Sequence, residues 1–454
     1  MNALVVGLSI VAVVSARAPV VPVEGPPDDV VREVIKSLEA SAVEHVALER
    51  YALFGLDALS ETERCLGRKQ DGANLVLTCG TSTLTVAWPP KSSDDVAILL
   101  SNAMRLADPD HSVRTDVERV VARALTRAVD DPFTAYLPPE LVAQVTSKNT
   151  AMFAATAGVE VWPRDPTKVR EVRRGSDAAR TGVEAGDRIV SIDDVPVGGL
   201  TFPEIAFKLQ GANDSIVRFT MKTSGGDKQF HIARTLVPES DVVTTQLDNH
   251  VLYIQLPVFK QGIAQRIKQA LYDVRPTGVI LDLRHNGGGF VPEATALADL
   301  FLSDGPIAAL RGGAGRPTEE YVATKSNDDV NVPLVLLVDG GSASASELFA
   351  MALKERKRAV VLGIQTSGKG TVQRQIHMPD GGVLKVTAGY YVGPAGNRLG
   401  ENGVTPDRFL APAAAKTVLE GGDPRRDSWI LSALDALQGA KSAQAAHSGA
   451  GPDP

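Results

Sequence analysis

Between residues 251 and 357 the chain alternates two periodicities. Apolar runs at 251–256, 278–283 and 334–338 read as strands, while 263–272, 292–302 and 346–357 repeat apolar residues at helical spacing. Strands separated by helices in this way are joined by crossovers, which implies a largely parallel sheet with helices packed against it. Runs at 360–362, 372–377 and 383–392 add further strands.

Upstream lies a β-rich unit: strands at 159–161 and 169–172, a Gly186-Asp187 turn, a helix at 202–209, and strands at 216–222 and 228–233. Residues 28–59 carry Val31, Val34, Ile35, Leu38 and Ala42 on one helical face. Helices follow at 93–106 and 113–129, the second ended by Asp131-Pro132, because a residue before proline disfavours helical backbone. Between them, 65–88 reads as two short strands. A last amphipathic helix runs through Trp429, Ile430, Ala433, Leu434 and Leu437, and the tail from Gly439 has the composition of a disordered segment. No internal repeat is found.

At 454 residues, the chain has room for about three domains. Its formal charge of −7 argues against a general nucleic-acid binder, which needs a basic surface. No apolar run reaches the ~20 residues of a membrane-spanning helix. The apolar run 3–14 followed by Ala16-Arg17-Ala18 fits a signal peptide over 1–18, although no basic residue precedes it. Export, to a periplasmic location, is the expectation; an uncleaved membrane anchor or a buried segment is the alternative. Cys65 and Cys79 are the two cysteines, spaced either to staple a hairpin in an oxidising compartment or to stand as buried free thiols. Two cysteines at this spacing make no zinc site.

Three segments carry possible chemistry. The run 334–338 ends in Gly340-Gly341 and then Ser342-Ala343-Ser344-Ala345-Ser346-Glu347, which places hydroxyls at a helix N-terminus, where free N–H groups favour an oxyanion. Ordinary capping by serine explains the same residues. The run 278–283 leads into Arg284-His285-Asn286-Gly287-Gly288-Gly289, suited to an oxyanion hole or to a tight turn; a P-loop pattern is absent. Lys369 lies between Gly368 and Gly370, with Gln373 four residues on. A lysine acts as a base only when neutral, in a dry site; otherwise it is a solvated turn residue.

Over residues 110–415 these pieces resemble the carboxyl-terminal processing (tail-specific) serine protease family. The segment Ser342 to Glu347 is similar to its nucleophile motif, and Gly368-Lys369-Gly370-Thr371-Val372-Gln373 to its lysine motif. Asp282 to Gly289 resembles its glycine segment, with Gly287 where the family usually has proline. Asp131-Pro132-Phe133-Thr134-Ala135-Tyr136-Leu137, Met378-Pro379-Asp380-Gly381-Gly382 and Gly403-Val404-Thr405-Pro406-Asp407 resemble three further landmarks.

The resemblance implies a multidomain α+β fold: a helical N-terminal region (19–145), a PDZ domain (146–236), a crotonase-like α/β protease core (237–415), and a C-terminal helix and tail (416–454). It implies Ser344 as nucleophile, Lys369 as base, Gln373 orienting the amine, and the N–H groups of Gly288 and Ala345 as oxyanion hole. Ala157, Gly158, Val159 and Glu160 take the place of the loop that binds a peptide's terminal carboxylate. Partners would be proteins or peptides with free C-termini, with a homo-oligomer or an adaptor as further candidates. No metal, cofactor or nucleic acid is implied. The rivals are a catalytically inactive PDZ scaffold, an acyl-CoA enzyme of crotonase-like architecture, and a triad using His285, the one histidine beside the glycine loop.

Overall fold

The computed structural model describes residues 29–62, 65–108, 114–146, 155–173, 175–236, 242–313, 319–400, 402–411 and 422–448. The signal-peptide expectation at 1–18 lies outside them.

The C-terminal half is built on a six-stranded sheet in the order Val243–Gln246, Val251–Gln255, Gly278–Asp282, Leu334–Val338, Val360–Gly363, Arg408–Phe409. The first pair is antiparallel and the rest are parallel. Every residue of Gly278–Asp282 and Leu334–Val338 is buried, because helices cover both faces of the sheet. Helices Ile263–Val274, Val291–Asp299 and Ala345–Glu355 pack on one face through Ile267, Leu297 and Phe349. Trp429, Ile430, Ala433 and Leu437 of helix Ser428–Ser448 cover the other. That helix continues through Gly439, correcting the expectation of an unstructured tail from that residue. Buried Arg284 fixes its start: the guanidinium bonds Asp282 at 2.6 Å and Asp427 at 3.0 Å, and Asp427 accepts the Trp429 N–H at 3.0 Å.

A second sheet stands beside the first, in the order Glu319–Val322, Pro306–Gly312, Val383–Val392, Thr371–His377, with Ala135–Leu137 also paired to Val383–Val392. The N-terminal helices Asp29–Ser41, Leu48–Thr62, Ser93–Ala107 and Arg114–Arg127 pack on its Leu384 and Val386. The periodic stretch 28–59 is thus two helices. Between them the Val43 N–H bonds the Thr387 carbonyl, drawing the chain onto the sheet. The segment 65–88 has three strands instead of two, since Gly67–Asp71 is polar and mostly exposed and shows no apolar alternation. Cys65 and Cys79 are joined by a disulfide.

The middle unit has its own core around Val161, Ile189, Val217 and Phe219. It touches both neighbours. Arg123 and Arg127 of helix Arg114–Arg127 bond the buried Glu204 carboxylate and the Gly199 carbonyl, and Phe133 meets Phe202 edge-on at 5.5 Å. On the opposite side Arg170 donates to the Ser367 hydroxyl, and Glu171 lies 2.5 Å from His285 Nδ1.

Candidate active site

The turn after strand Leu334–Val338 is built by the Asp339 carboxylate. It accepts the N–H groups of Gly341 and Ser342 at 2.9 and 3.1 Å, and that of His285 across the cleft at 2.9 Å. The turn's three serines then separate by role. Ser342 Oγ donates to the Leu283 carbonyl at 2.7 Å, and Ser346 Oγ to the Asn286 carbonyl at 2.9 Å. Both therefore tie this turn to the glycine loop. Among the described residues, Ser344 Oγ has no such backbone acceptor. Ser344 is the N-cap of helix Ala345–Glu355 with φ 56° and ψ −115°, a conformation that costs a non-glycine residue energy and marks a constrained position.

Lys369 rides on a loop held against this turn: the Ser367 N–H bonds the Ser342 carbonyl, and the Lys369 N–H bonds a Glu347 carboxylate oxygen at 2.8 Å. The residue as a whole is only partly buried. Burial of its amine lowers the pKa to about 7, helped by the positive charges of Lys385 and Arg170 and opposed by Glu347 and Glu160. No hydrogen bond joins the Ser344, Lys369 and Gln373 side chains among the described residues. Gln373 is buried, but its amide donates to Thr371 Oγ1 at 2.8 Å and Thr387 Oγ1 at 3.3 Å. Strand register sets Gln373 opposite Thr387, so its N–H groups are engaged there and only its carbonyl oxygen remains to face an amine.

Gly288, at φ +102°, packs directly on the nucleophile turn; a Cβ there would stand 2.7 Å from the Ala343 oxygen and 2.9 Å from the Ala345 nitrogen. The expected pairing of its N–H with that of Ala345 needs correcting for this conformation: Gly288 N–H donates to Asn286 Oδ1 at 2.9 Å. The Ala345 N–H, at the first helical position, has no carbonyl a turn earlier to bond.

The PDZ-type loop is likewise engaged. Ala157 N–H bonds the Leu209 carbonyl and Gly158 N–H bonds Thr156 Oγ1, both at 2.9 Å, so successive N–H groups do not converge on an empty cradle as expected. Val159 and Glu160 belong to strand Val159–Val161, paired with Val169–Val172 in a sheet of two strands.

His285 sits beside the site but is held by carboxylates, with Nδ1 2.5 Å from Glu171 and 3.3 Å from Asp339. Burial works against its charged form, but the Glu171 hydrogen bond and the charges of Asp339, Glu171 and Glu160 outweigh it and raise the pKa to about 9. A histidine already protonated at neutral pH is unsuited to be a general base. Sequence reading missed Arg170, Glu171 and Lys385, because each reaches the site only through tertiary contact.

The chain matches the model of peptidase family S41 over residues 250–409 and that of the PDZ domain over 168–223. It is 32% identical over 323 residues to a chloroplastic C-terminal processing peptidase of Tetradesmus obliquus, covering 66% of this chain and 69% of that protein. It is 31% identical to the carboxy-terminal-processing protease of Bartonella bacilliformis, over 61% of this chain and 66% of the relative. A solved photosystem II D1 C-terminal processing protease shares the fold, with a TM-score of 0.63 at 23% identity, over 86% of this chain and 94% of that one. Motif order, the two-sheet core around Ser344 and this similarity agree: the chain belongs to the C-terminal processing serine peptidases of family S41 and carries a PDZ domain.

Proposed function

We propose that the protein is an endopeptidase that selects polypeptides by their free C-terminal tails and cuts them with a Ser344–Lys369 dyad. The observation carrying this reading is the division of labour in the serine turn. Ser342 and Ser346 donate their hydroxyls to backbone carbonyls, while Ser344, in a capping box with Glu347, donates to none and stands strained at a helix N-terminus beside a loop bearing an amine of depressed pKa.

Neutral Lys369 takes the Ser344 proton as Oγ attacks the scissile carbonyl carbon. The oxyanion forms at the Ala345 N–H, joined by Gly288 N–H once Asn286 releases it. Protonated Lys369 gives its proton to the leaving amine, freeing one product and an acyl-enzyme. Lys369 then deprotonates the water that hydrolyses the ester, and returns the proton to Ser344. Gln373 Oε1 is the acceptor that would orient the amine.

The PDZ domain, taken as 146–236, would receive a tail along the open edge of Val159–Val161 by strand addition, with Thr156 giving up Gly158 N–H to the terminal carboxylate. The remaining division is 19–145 for the N-terminal domain, 237–415 for a protease core of crotonase-like architecture and 416–454 for the C-terminal helix and tail. The N-terminal apolar run supports export to a periplasm-like compartment, consistent with the Cys65–Cys79 bond. A homo-oligomer or adaptor would engage the N-terminal helices. Ser344→Ala and Lys369→Ala, assayed on a peptide with an apolar free C-terminus, test the dyad; near-wild-type cleavage by either variant overturns it.

A further inference from the structure

We infer that Glu347 is a positioning residue of this peptidase: its single carboxylate fixes the backbone of the base-bearing loop to the backbone of the nucleophile. This deepens the dyad reading and rests on it. Oε2 accepts the Ser344 N–H at 2.9 Å and the Lys369 N–H at 2.8 Å; Oε1 accepts the Gly368 N–H at 2.6 Å and the Thr366 hydroxyl at 2.5 Å. Glu347 is fully buried and one turn into the helix that Ser344 caps.

Four donors on two oxygens exhaust a carboxylate's favoured acceptor directions. Burial pushes this carboxyl's pKa up and the four donors oppose the rise, since a proton on either oxygen would displace one of them. The position is specific in length and in charge. Aspartate is one methylene short of spanning both chains. Glutamine keeps one oxygen, but in either orientation its NH₂ faces at least one N–H donor that it cannot accept. The strut matters because the nucleophile and base lie on separate loops, and an ångström of slippage between reacting groups can cost about 100-fold in rate.

The same carboxylate acts on the base through its charge. The charged groups acting on the Lys369 amine are Lys385 and Arg170, which favour its neutral form, and Glu347 and Glu160, which favour the ammonium. Removing the Glu347 charge therefore lowers the pKa of Lys369 further, and the acid limb of the pH–rate profile moves to lower pH. A residue that only filled space would not move that limb.

The test compares Glu347→Gln, Glu347→Asp, Ser344→Ala and Lys369→Ala in the full-length protein, on a peptide with an apolar free C-terminus. For Glu347→Gln we expect kcat to fall about 100-fold with little change in KM, and the acid limb to shift down by roughly one pH unit. A kcat within threefold of wild type overturns the proposal, and so does a lower kcat with an unmoved limb. Activity surviving in Ser344→Ala or Lys369→Ala would instead overturn the dyad itself, so the two failures are distinguishable. Should Glu347→Gln not fold, Thr366→Val removes one of the four bonds, along with the Val404 N–H bond that the same hydroxyl accepts, and keeps the charge. A roughly fivefold loss of kcat, restored by Thr366→Ser, supports the strut; a wild-type kcat in Thr366→Val overturns it.

Discussion

Arg170 of the PDZ domain donates to the hydroxyl of Ser367, two residues before Lys369. The same guanidinium bonds Glu160, on the strand proposed to receive a substrate tail, at 2.5 Å. One side chain therefore touches both that strand and the loop that carries Lys369. Its next neighbour, Glu171, bonds His285 in the glycine loop. Domain and active site meet through two adjacent residues of one strand, in a conformation where Ser344 and Lys369 are not hydrogen-bonded to each other.

Activity should follow the Lys369 proton. The folded-state pKa is lowered to about 7, so the amine is protonated and inactive below that value and increasingly free above it. A kcat/KM profile rising from pH 5 to 8 with a midpoint near 7 is expected. A flat profile would remove lysine as the base.

Replacing either member of the dyad should be severe. Ser344→Ala and Lys369→Ala are each expected to lose about 10⁴-fold or more in kcat while melting close to wild type, because groups acting as a unit fail together. Steady-state assay beside thermal unfolding checks both halves of this expectation.

Gly288 tolerates no side chain. At φ +102°, with a Cβ falling 2.7 Å from the Ala343 oxygen, Gly288→Ala must push back the turn that holds Ser344. Backbone strain alone costs about 1–3 kcal/mol. Loss of reactivity towards a serine-directed fluorophosphonate, with destabilisation of at least that size, is the expected result; full labelling would contradict it.

The PDZ contact at His285 should loosen with alkali. Its pKa is raised in the folded state to about 9 from an ordinary 6.5, so its stabilising pair with Glu171 and Asp339 is complete below about pH 6.5 and is lost as pH rises through 9. The hydrogen-exchange protection factors of strand Val169–Val172, taken against the intrinsic rate at each pH, should fall over that window in the wild-type protein and respond less in Glu171→Gln. Identical pH responses would show that the pair does not hold the domain.

Arg284→Met should release the C-terminal helix. It removes the guanidinium that the buried carboxylates of Asp282 and Asp427 share, and breaking a buried pair typically costs about 3–5 kcal/mol. Protease cutting ahead of Ser428 and a lowered unfolding midpoint are the expected readouts; an unchanged midpoint would argue that water compensates both carboxylates.

Much of this protein was written locally in the chain. Strands buried on both faces must be continuously apolar, so 278–283 and 334–338 announced a parallel sheet, and loops at strand ends offered the serine turn, Lys369 and the glycine segment as candidates, with Ser344 singled out by family resemblance alone. Polar Gly67–Asp71 escaped because an exposed strand needs no apolar pattern. Which of three serines is spare was settled only by Leu283 and Asn286, whose carbonyls arrive from another loop to occupy Ser342 and Ser346. The role of Gln373 depended on register across a hairpin, and the charge on Lys369 on how deeply its amine is buried beside Lys385. Periodicity reports what each segment must bury; partners distant in sequence, and the dielectric they create, exist only once the chain has closed around them.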